Sequence, residues 1–422
     1  MRRTTVSILA AVLLGAVATP VRAAPGDLDT FFAGDGIATA FPNGAIATAV
    51  AIDHHERILV AGYTVRADPD LALARFTPAG RLDPSFDGDG KVVVDLGGND
   101  YAFDVAIADD GGIVVVGERD AAEDRVAVAR LRPNGRLDPT FGGDGVVLTS
   151  FGRRFQSANA VGLMTDGRIV IAGSTSNGST GRSALARYRT DGGLDPTFGD
   201  DGRVTVDLSP SGERFDGLVV LPGGAVVAAG SAERGLVPAF SVARFEPDGA
   251  LDLDFGKRGA GSSLIDVGAG SDVAHALTVQ PDGRIVVVGS TTGDPRGDWA
   301  IARLGPKGRL DPGFSADGVV VTAASTGAGA AFGVVAQPNG KLLVVGRVHR
   351  TATRDDLAVV RLKPGGGRDL RFGVGGIATV DVGGRADSAR DAVLQANGKL
   401  VVVGDASIGG RRRFVATRLR TR

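Results

Sequence analysis

The sequence predicts an all-β fold, a seven-bladed β-propeller whose blades are four-stranded antiparallel sheets. Variants of the phrase GRLDPTFGGDG, found at residues 135–145, recur seven times along the 422-residue chain. Each repeat also holds a run of β-branched residues that ends in glycine, and a strand that ends in arginine. No segment after residue 23 keeps a helical period, and turn residues interrupt the chain about every ten residues.

The phenylalanine of the recurring phrase marks the length of the repeat, which is 54 to 59 residues. The seven copies are Phe32, Phe86, Phe141, Phe198, Phe255, Phe314 and Phe372. One unit of this kind cannot bury its own apolar faces, so neighbouring units must cover one another. The seventh copy departs most, because Arg368 stands where the others have leucine and Gly375 replaces a more polar residue of most copies.

Four short strands are expected in each unit, and the second full unit illustrates them. They are residues 104–108, 113–117, 126–131 and 146–151. Pairs such as Asn339-Gly340 accept positive φ, and they predict tight hairpins before the apolar runs. Four antiparallel strands repeated seven times favour a radial ring, because each blade then covers the next.

The count of strands predicts how the ring closes. The strand after each phrase occurs seven times, first at residues 36–41, while the chain ends on a third strand at residues 414–419. If the strand after the phrase is the outermost of a blade, these two strands lack partners and should pair. We predict that the N-terminal strand completes the last blade, which removes an exposed edge and ties down both termini. A ring whose blades exchange no strand is the alternative.

An aspartate and an arginine recur with the phrase. The aspartates are Asp29, Asp83, Asp138, Asp195, Asp252, Asp311 and Asp369, and the arginines are Arg75, Arg130, Arg187, Arg244, Arg303, Arg361 and Arg418. Aspartate followed by proline suits the cap and first position of a helical turn. Because a guanidinium can hold a carboxylate through two parallel bonds, we expect one Arg–Asp pair in each unit. Ring closure then requires Arg418 to reach Asp29.

Composition limits the partners and the compartment. The net charge of −1 leaves no basic surplus for nucleic acid, and the absence of cysteine excludes disulfides and thiolate chemistry. Two arginines, an apolar run over residues 6–18 and small residues before position 24 predict a secretory signal peptide, residues 1–23, cleaved after Ala23. Residues 24–422 would then form a single extracytoplasmic propeller domain. An uncleaved anchor is the alternative, although the run is short for a membrane span.

The Leu-Asp-Pro-x-Phe phrases, such as residues 82–86, the Val-Val-Val-Gly strands and the Ala-Arg-Leu endings together carry a resemblance. In these motifs the chain resembles the delta-60 repeat family of bacterial exported proteins. The resemblance covers essentially everything after residue 25. It implies a propeller of a secreted or surface protein, and it implies no catalytic residues.

Motifs of catalysis or cofactor binding do not stand out. The chain lacks a Gly-x-Ser-x-Gly elbow, and its glycine strings lack the strand-to-helix context of a phosphate cradle. A single tryptophan, Trp299, disfavours a quinone-cofactor dehydrogenase, and the Asp-rich turn at residues 87–90 lacks the further carboxylates of a calcium loop. The four histidines have no partners at ligand spacing apart from the adjacent His54 and His55, which sit at a turn and suit surface decoration better than a metal site. We therefore predict no cofactor, no metal site and no catalytic residues.

Propeller geometry nevertheless says where a site would lie, since the first strand of each blade lines the central channel. Aligned on the hairpin turn, one position near the mouth reads Thr48, Phe103, Asn159, Phe215, His275, Phe332 and Arg390. The next reads Ala49, Asp104, Ala160, Asp216, Ala276, Gly333 and Asp391. Their variation fits a tailored pocket, and it equally fits relaxed solvent-facing residues. The candidate binding residues are Asp104, Asp216, His275, Arg390 and Asp391.

The sequence favours a secreted or cell-surface module that binds protein or glycan over one face without catalysis. We expect a monomer with no nucleic-acid partner and no integral membrane association after signal cleavage. The alternative is an extracytoplasmic hydrolase or lyase with a site at the channel mouth. Acidic groups around a divalent ion would favour the enzyme, and a smooth funnel lined by Phe103, Phe215 and Phe332 would favour binding.

Overall fold

A computed structural model describes residues 24–422, apart from 122–123, 211, 236, 257–258, 269, 295–297, 325–328, 351–353 and 385. The described residues form 28 strands in seven separate four-stranded antiparallel sheets, with no helix. The seven-bladed propeller is therefore confirmed. The proposed signal peptide, residues 1–23, lies outside the described residues. Within them, no helix is long and apolar enough to cross a membrane.

The first four blades hold β2 to β17, while β1 stands apart at the N-terminus. In chain order, the first seventeen strands are β1 Ile37–Ala40, β2 Ala45–Ile52, β3 Ile58–Thr64, β4 Leu71–Phe76, β5 Lys91–Val94, β6 Asn99–Ile107, β7 Ile113–Asp120, β8 Arg125–Leu131, β9 Val146–Thr149, β10 Phe155–Leu163, β11 Ile169–Ser176, β12 Gly181–Tyr188, β13 Arg203–Val206, β14 Glu213–Val220, β15 Val226–Arg234, β16 Val237–Phe245 and β17 Ser262–Ile265.

The last three blades hold the remaining strands. These are β18 Asp272–Val279, β19 Ile285–Thr291, β20 Trp299–Leu304, β21 Val319–Thr322, β22 Ala330–Ala336, β23 Leu342–Arg350, β24 Arg354–Leu362, β25 Ile377–Val380, β26 Asp387–Leu394, β27 Leu400–Ile408 and β28 Arg411–Leu419. Blades 1 to 6 each take four consecutive strands from β2 onwards, and blade 7 consists of β26, β27, β28 and β1.

The N-terminal strand closes the ring as predicted. Strand β1 pairs antiparallel with β28, with Ile37 opposite Thr417 and Ala40 opposite Phe414. Before the strand, the N–H of Gly26 donates to the carbonyl of Arg420 at 2.7 Å. The first and last segments of the propeller are therefore joined side by side.

The apolar core lies between blades, which is the reason that the ring forms. Seven buried clusters each combine residues of two adjacent blades. Phe86, for example, is fully buried among Leu59 of blade 1 and Ile113 of blade 2. All seven phrase phenylalanines are buried in this way. No single blade shields its own faces, as the repeat pattern indicates.

The predicted Arg–Asp pair is present in every unit. The N–O distance is 2.8 Å in Arg75–Asp83, Arg187–Asp195, Arg303–Asp311 and Arg418–Asp29, 2.9 Å in Arg361–Asp369 and 3.5 Å in Arg130–Asp138, and Arg244 also contacts Asp252. The same guanidinium reaches the neighbouring blade, as when Arg418 donates to the carbonyl of Pro78 at 2.6 Å. Six of the seven arginines make such a bond to the next blade, whereas Arg130 bonds Asp110 of its own blade instead.

A β-bulge recurs in the inner strand of every blade. In blade 2, Ala102 pairs with Gly117 and Asp104 with Val116, so Phe103 is left unpaired. A Cβ on Gly117 would overlap the carbonyl oxygen of Tyr101, which explains why the apolar runs end in glycine. The same overlap arises at Gly62, Gly173, Gly230, Gly289, Gly346 and Gly404.

The bulge also explains the largest error in the predicted strand boundaries. Strand β6 spans Asn99–Ile107, whereas the sequence predicts residues 104–108. The inserted residue shifts by one position the alternation of side chains that face the two sides of the sheet. In the sequence the strand therefore looks like two separate segments. The outermost strand, β9, ends at Thr149 rather than at residue 151.

Candidate functional site

The seven bulges bring one side chain from every blade to one mouth of the central channel. These side chains are Thr48, Phe103, Asn159, Asp216, His275, Phe332 and Arg390. All seven line a single cavity of ≈ 490 Å³, here called the mouth cavity. Larger cavities of ≈ 710 and ≈ 620 Å³ lie between adjacent blades and collect residues from only a part of the ring.

The predicted register of the fourth unit is wrong by one residue. Phe215 is fully buried between blades and packs edge-on against Phe245 at 6.0 Å, so it does not line the mouth. The bulge position belongs to Asp216. The error comes from the turn, where Gly223 and Gly224 both have positive φ and the second, not the first, matches the turn glycine of other units. The smooth funnel of Phe103, Phe215 and Phe332, which would have favoured binding over catalysis, is therefore not formed.

Three of the five candidate residues, Asp216, His275 and Arg390, line the mouth cavity. The other two, Asp104 and Asp391, lie one residue further along their strands, and both of their carboxylate oxygens accept backbone hydrogen bonds. Asp104 accepts from Val161 of the next blade at 2.8 Å. Asp391 accepts from Val50 of blade 1 at 3.0 Å. These two carboxylates therefore link neighbouring inner strands.

Burial controls the ionisation of the acidic groups near the channel. It raises the pKa of Asp104 to about 7, with a further contribution from the charge of Asp391, and it raises the pKa of Asp391 to about 6. On blade 2, burial and then the neighbouring Asp124 and Asp120 raise the pKa of Glu118 to about 7. Glu118 is therefore divided between its two protonation states at neutral pH.

His275 is held in its neutral form. Burial, and then the charges of Arg214, Arg390 and Arg347, lower the pKa of His275 to about 4. Its ring lies 5.0 Å from that of Phe332. Within the described part of the chain, the imidazole makes no hydrogen bond to protein. Its nitrogens are therefore available to a ligand as an uncharged donor and acceptor.

Arg390 is the most unusual cation of the cavity. Its guanidinium stacks on Phe332 at 4.9 Å, and its nearest carboxylate oxygen, on Asp405, is 3.6 Å away. That carboxylate already accepts a hydrogen bond from Arg412. Among the described residues Arg390 makes no hydrogen bond, and its Nε is buried without a partner. Arg214, in contrast, is paired with Asp216 at 2.7 Å.

Aromatic rings form another part of the wall. Tyr63 and Phe103 line the cavity, and Tyr101 lies between them. The ring of Tyr101 is edge-on to Tyr63 at 4.9 Å and parallel to Phe103 at 6.3 Å. These contacts fix the rings in place, so they offer a preformed apolar surface.

Sequence reasoning missed Tyr63 and Glu118, because only the first strands were expected to line the channel. Both residues follow the repeated glycine of the second strand directly. Across the units that position varies widely, and it reads Tyr63, Glu118, Ser174, Ser231, Ser290, Arg347 and Asp405. Variation next to an invariant glycine is the signal that would have found them.

A second acidic group lies between blades 1 and 2. Carboxylate oxygens of Asp70, Asp95 and Asp100 lie within 4.8 Å of one another, and burial raises the pKa of Asp100 to about 6. Asp100 accepts from the N–H of Leu96 at 2.5 Å. Asp272 accepts from Val267 at the same point of its blade. Asp100 therefore caps the loop that leads into the inner strand, and this structural role accounts for its position in the acidic group.

The raised carboxyl pKa values predict how stability depends on pH. Carboxyl groups in an unfolded chain have pKa values of about 4, and five folded values lie near 6 or 7. Those groups are Asp100, Asp104, Glu118, Glu213 and Asp391. Between pH 4 and 7 the folded state binds more protons than the unfolded state, so stability falls as pH rises. The lowered pKa of His275 acts in the opposite direction, but it is one group against five.

We therefore expect the melting temperature to be a few degrees higher at pH 5 than at pH 8, at constant ionic strength. Differential scanning calorimetry at half-unit pH steps measures this difference. Glu118→Gln, which removes one raised group, should reduce it, whereas Asp144→Asn changes an exposed carboxylate and should not. A melting temperature that climbs steadily from pH 5 to pH 8 would show that the buried carboxyls do not control stability.

The repeats of this chain match a known family of propeller proteins. A family model described as "domain of unknown function (DUF5122) beta-propeller" matches seven segments, residues 57–86, 108–141, 165–198, 222–255, 280–314, 337–372 and 395–421. Each segment runs from the second-strand region to the phrase phenylalanine, or to the C-terminus in the last case. No curated protein matches the sequence.

Solved structures share the fold at low identity. A catalytically inactive variant of virginiamycin B lyase from Staphylococcus aureus, with quinupristin, has 10% identity and a TM-score of 0.54 over 90% of this chain and 98% of that one. A protein of unknown function from Dyadobacter fermentans has 13% identity and a TM-score of 0.46, over 92% and 98%. The polysaccharide lyase Uly1 has 11% identity and a TM-score of 0.48, over 90% of each chain. At these identities the likeness is one of fold alone.

Proposed function

The chain belongs to the DUF5122 β-propeller family, and on that premise we propose that it is an exported binding module whose ligand site is the mouth cavity. One observation carries the proposal: every blade gives the side chain of its bulged residue to the same cavity. The seven residues differ in type, although the bulge that presents them is constant. A constant frame with varied contacts is the arrangement expected of a site shaped for one ligand.

Binding without catalysis fits the polar groups better than a reaction does. Glu118 lies on blade 2, His275 on blade 5 and Arg390 on blade 7. Among the described residues, no hydrogen bond joins a nucleophile to a base in this cavity, and an activated nucleophile requires such a pair. The stacked rings and the unbonded guanidinium are groups that recognise a ligand. The partner we propose is a protein or a glycan, and the protein acts as a monomer.

Export is part of the same proposal. The basic start and the apolar run of residues 1–23 support a secretory signal, and the motifs of the repeats support membership of the delta-60 type. The net charge of −1 supports a partner other than nucleic acid. The site would therefore act outside the cytoplasmic membrane.

The second candidate is a hydrolase or lyase at the same mouth. It is favoured by Glu118, whose pKa of about 7 suits proton transfer at neutral pH, and by His275, which burial keeps uncharged. The two candidates differ in the fate of the ligand, which a binding module releases unchanged.

The test is to titrate Phe103→Ala against ligands selected by the intact protein from glycan and peptide arrays. We expect about a tenfold loss of affinity in calorimetry, because a ring that covers the ligand is removed. Phe31→Ala is the matched control, since Phe31 is 79% exposed outside the cavity. Equal affinity of Phe103→Ala and the intact protein would exclude the mouth cavity as the site. Mass spectrometry of the recovered ligand separates the candidates: cleavage that is lost in His275→Ala or Glu118→Gln would establish the enzyme.

A further inference from the structure

Arg390 has the features of a preorganised anion receptor. Stacking on Phe332 fixes its guanidinium, and the inner-strand bulge fixes its backbone. Its side chain is one-third exposed, and within the described residues it makes no hydrogen bond. A guanidinium offers five donors in a rigid fork that matches a carboxylate. The donors of Arg390 are unused by the protein, although the group is held in position.

The protein neutralises this cation only in part. Asp405 is 3.6 Å from Nε of Arg390 and is fully buried, but it is also in direct contact with Arg412. Arg347 of the adjacent blade is 3.8 Å from its own carboxylate, Asp355. Two arginines therefore share Asp405, which leaves a positive surplus on the side of the cavity formed by blades 6 and 7. The low pKa of His275 is consistent with that surplus.

Ring surfaces and small polar groups adjoin the cation. Tyr63 of blade 1 is near enough to Arg390 for the two groups to influence each other's ionisation, and Phe103 follows on blade 2. Beyond them the wall carries the hydroxyl groups of Ser157 and Ser174 and the amide of Asn159. Aromatic faces suit the C–H face of a sugar ring, and hydroxyl and amide groups suit its hydroxyls.

Resting on the proposed function, we propose that the mouth cavity binds an acidic glycan, with a sugar carboxylate on Arg390 and the sugar ring against Tyr63 and Phe103. The volume of ≈ 490 Å³ lies within the range of small-ligand sites, so it suits a few sugar residues rather than a folded domain. A neutral glycan would cover the guanidinium of Arg390 and offer it no charged acceptor. Charge therefore decides which glycan binds.

The test uses tri-galacturonate and its methyl ester, which differ only in the carboxylate charge. Calorimetry with the full chain at fixed ionic strength should show the acid binding about tenfold or more tightly than the ester. In Arg390→Gln the acid and the ester should bind equally, and Arg390→Lys should recover part of the preference. Arg234→Gln is the matched control, because Arg234 is an exposed arginine on the strand end of another blade. Melting temperatures check that each variant is folded.

Equal binding of acid and ester by the intact protein overturns the proposal, and so does an acid preference that survives in Arg390→Gln. The failures of the two proposals are distinguishable. If a peptide or neutral ligand binds and depends on Phe103 while the acid does not bind, the binding site stands and the acidic-glycan assignment falls. If acidic peptides bind through Arg390 and tri-galacturonate does not, the ligand is a protein segment. If no array ligand depends on Phe103, both proposals fall.

Discussion

Deletion of residues 26–41 is expected to leave the protein unfolded at physiological temperature, so that heating it shows no cooperative melting transition. The deletion removes β1 and leaves the edge of β28 unpaired. It also removes Phe32, which is fully buried between blades 7 and 1, and Asp29, the buried partner of Arg418. A lost core phenylalanine costs about 3–5 kcal/mol and an orphaned buried charge a similar amount. Together these losses are comparable with the total stability of an ordinary domain, about 5–15 kcal/mol.

Calorimetry and circular dichroism of the truncated protein measure this effect. A synthetic peptide of residues 24–41, added in excess, should restore part of the transition by pairing with β28. Phe31→Ala in the intact chain is the control, since Phe31 belongs to the same segment but is mostly exposed. If the truncated protein melts no earlier than the intact one, the closing strand does not hold the ring.

Gly117→Ala is expected to reduce the free energy of unfolding by about 3 kcal/mol, a large effect for one methyl group. The added Cβ would overlap the carbonyl oxygen of Tyr101, which belongs to the paired inner strand and cannot rotate away. The bulge at Phe103 would have to open, so affinity at the mouth cavity should fall as well. Urea denaturation gives the change in free energy.

Gly367→Ala is the matched control for this substitution. No heavy atom lies within 4 Å of a Cβ built on Gly367, and its φ is not positive. We expect its free energy of unfolding to stay within about 0.5 kcal/mol of the parent value. If the two alanine variants are equally stable, the close approach at the bulge is not what requires the repeated glycine.

The repeat predicts most of the scaffold because one set of contacts is used seven times. The phrase phenylalanines, the Arg–Asp pairs and the strand count all led to structures that are present, including the pairing of Arg418 with Asp29. These residues depend on local contacts, because the strand, the turn that holds the phrase and the Arg–Asp pair must fit together in every unit. Repetition then turns a weak local signal into a firm prediction.

The candidate site was predicted less completely, for reasons that can be named. The bulge inserts one extra residue into each inner strand. The alternation of apolar and polar residues does not reveal which residue that is. In the fourth unit, alignment on the wrong one of two turn glycines placed Phe215 at the bulge position that Asp216 occupies. Glu118 and Tyr63 line the mouth cavity from second strands, and the sequence alone led us to expect only first strands there. Asp104 and Asp391 look like ligand contacts in sequence, but backbone N–H groups occupy both of their oxygens.

The sequence by itself determined the number of blades, their strands and the way in which the ring closes. Each of these follows from burial, because apolar faces that recur at a fixed spacing must cover one another. Only the tertiary structure decided which side chains share the mouth cavity and what charge they carry there. Those properties depend on distances between residues of seven different blades. They also depend on the burial that keeps His275 neutral and leaves Nε of Arg390 without a hydrogen bond, which a local pattern does not record.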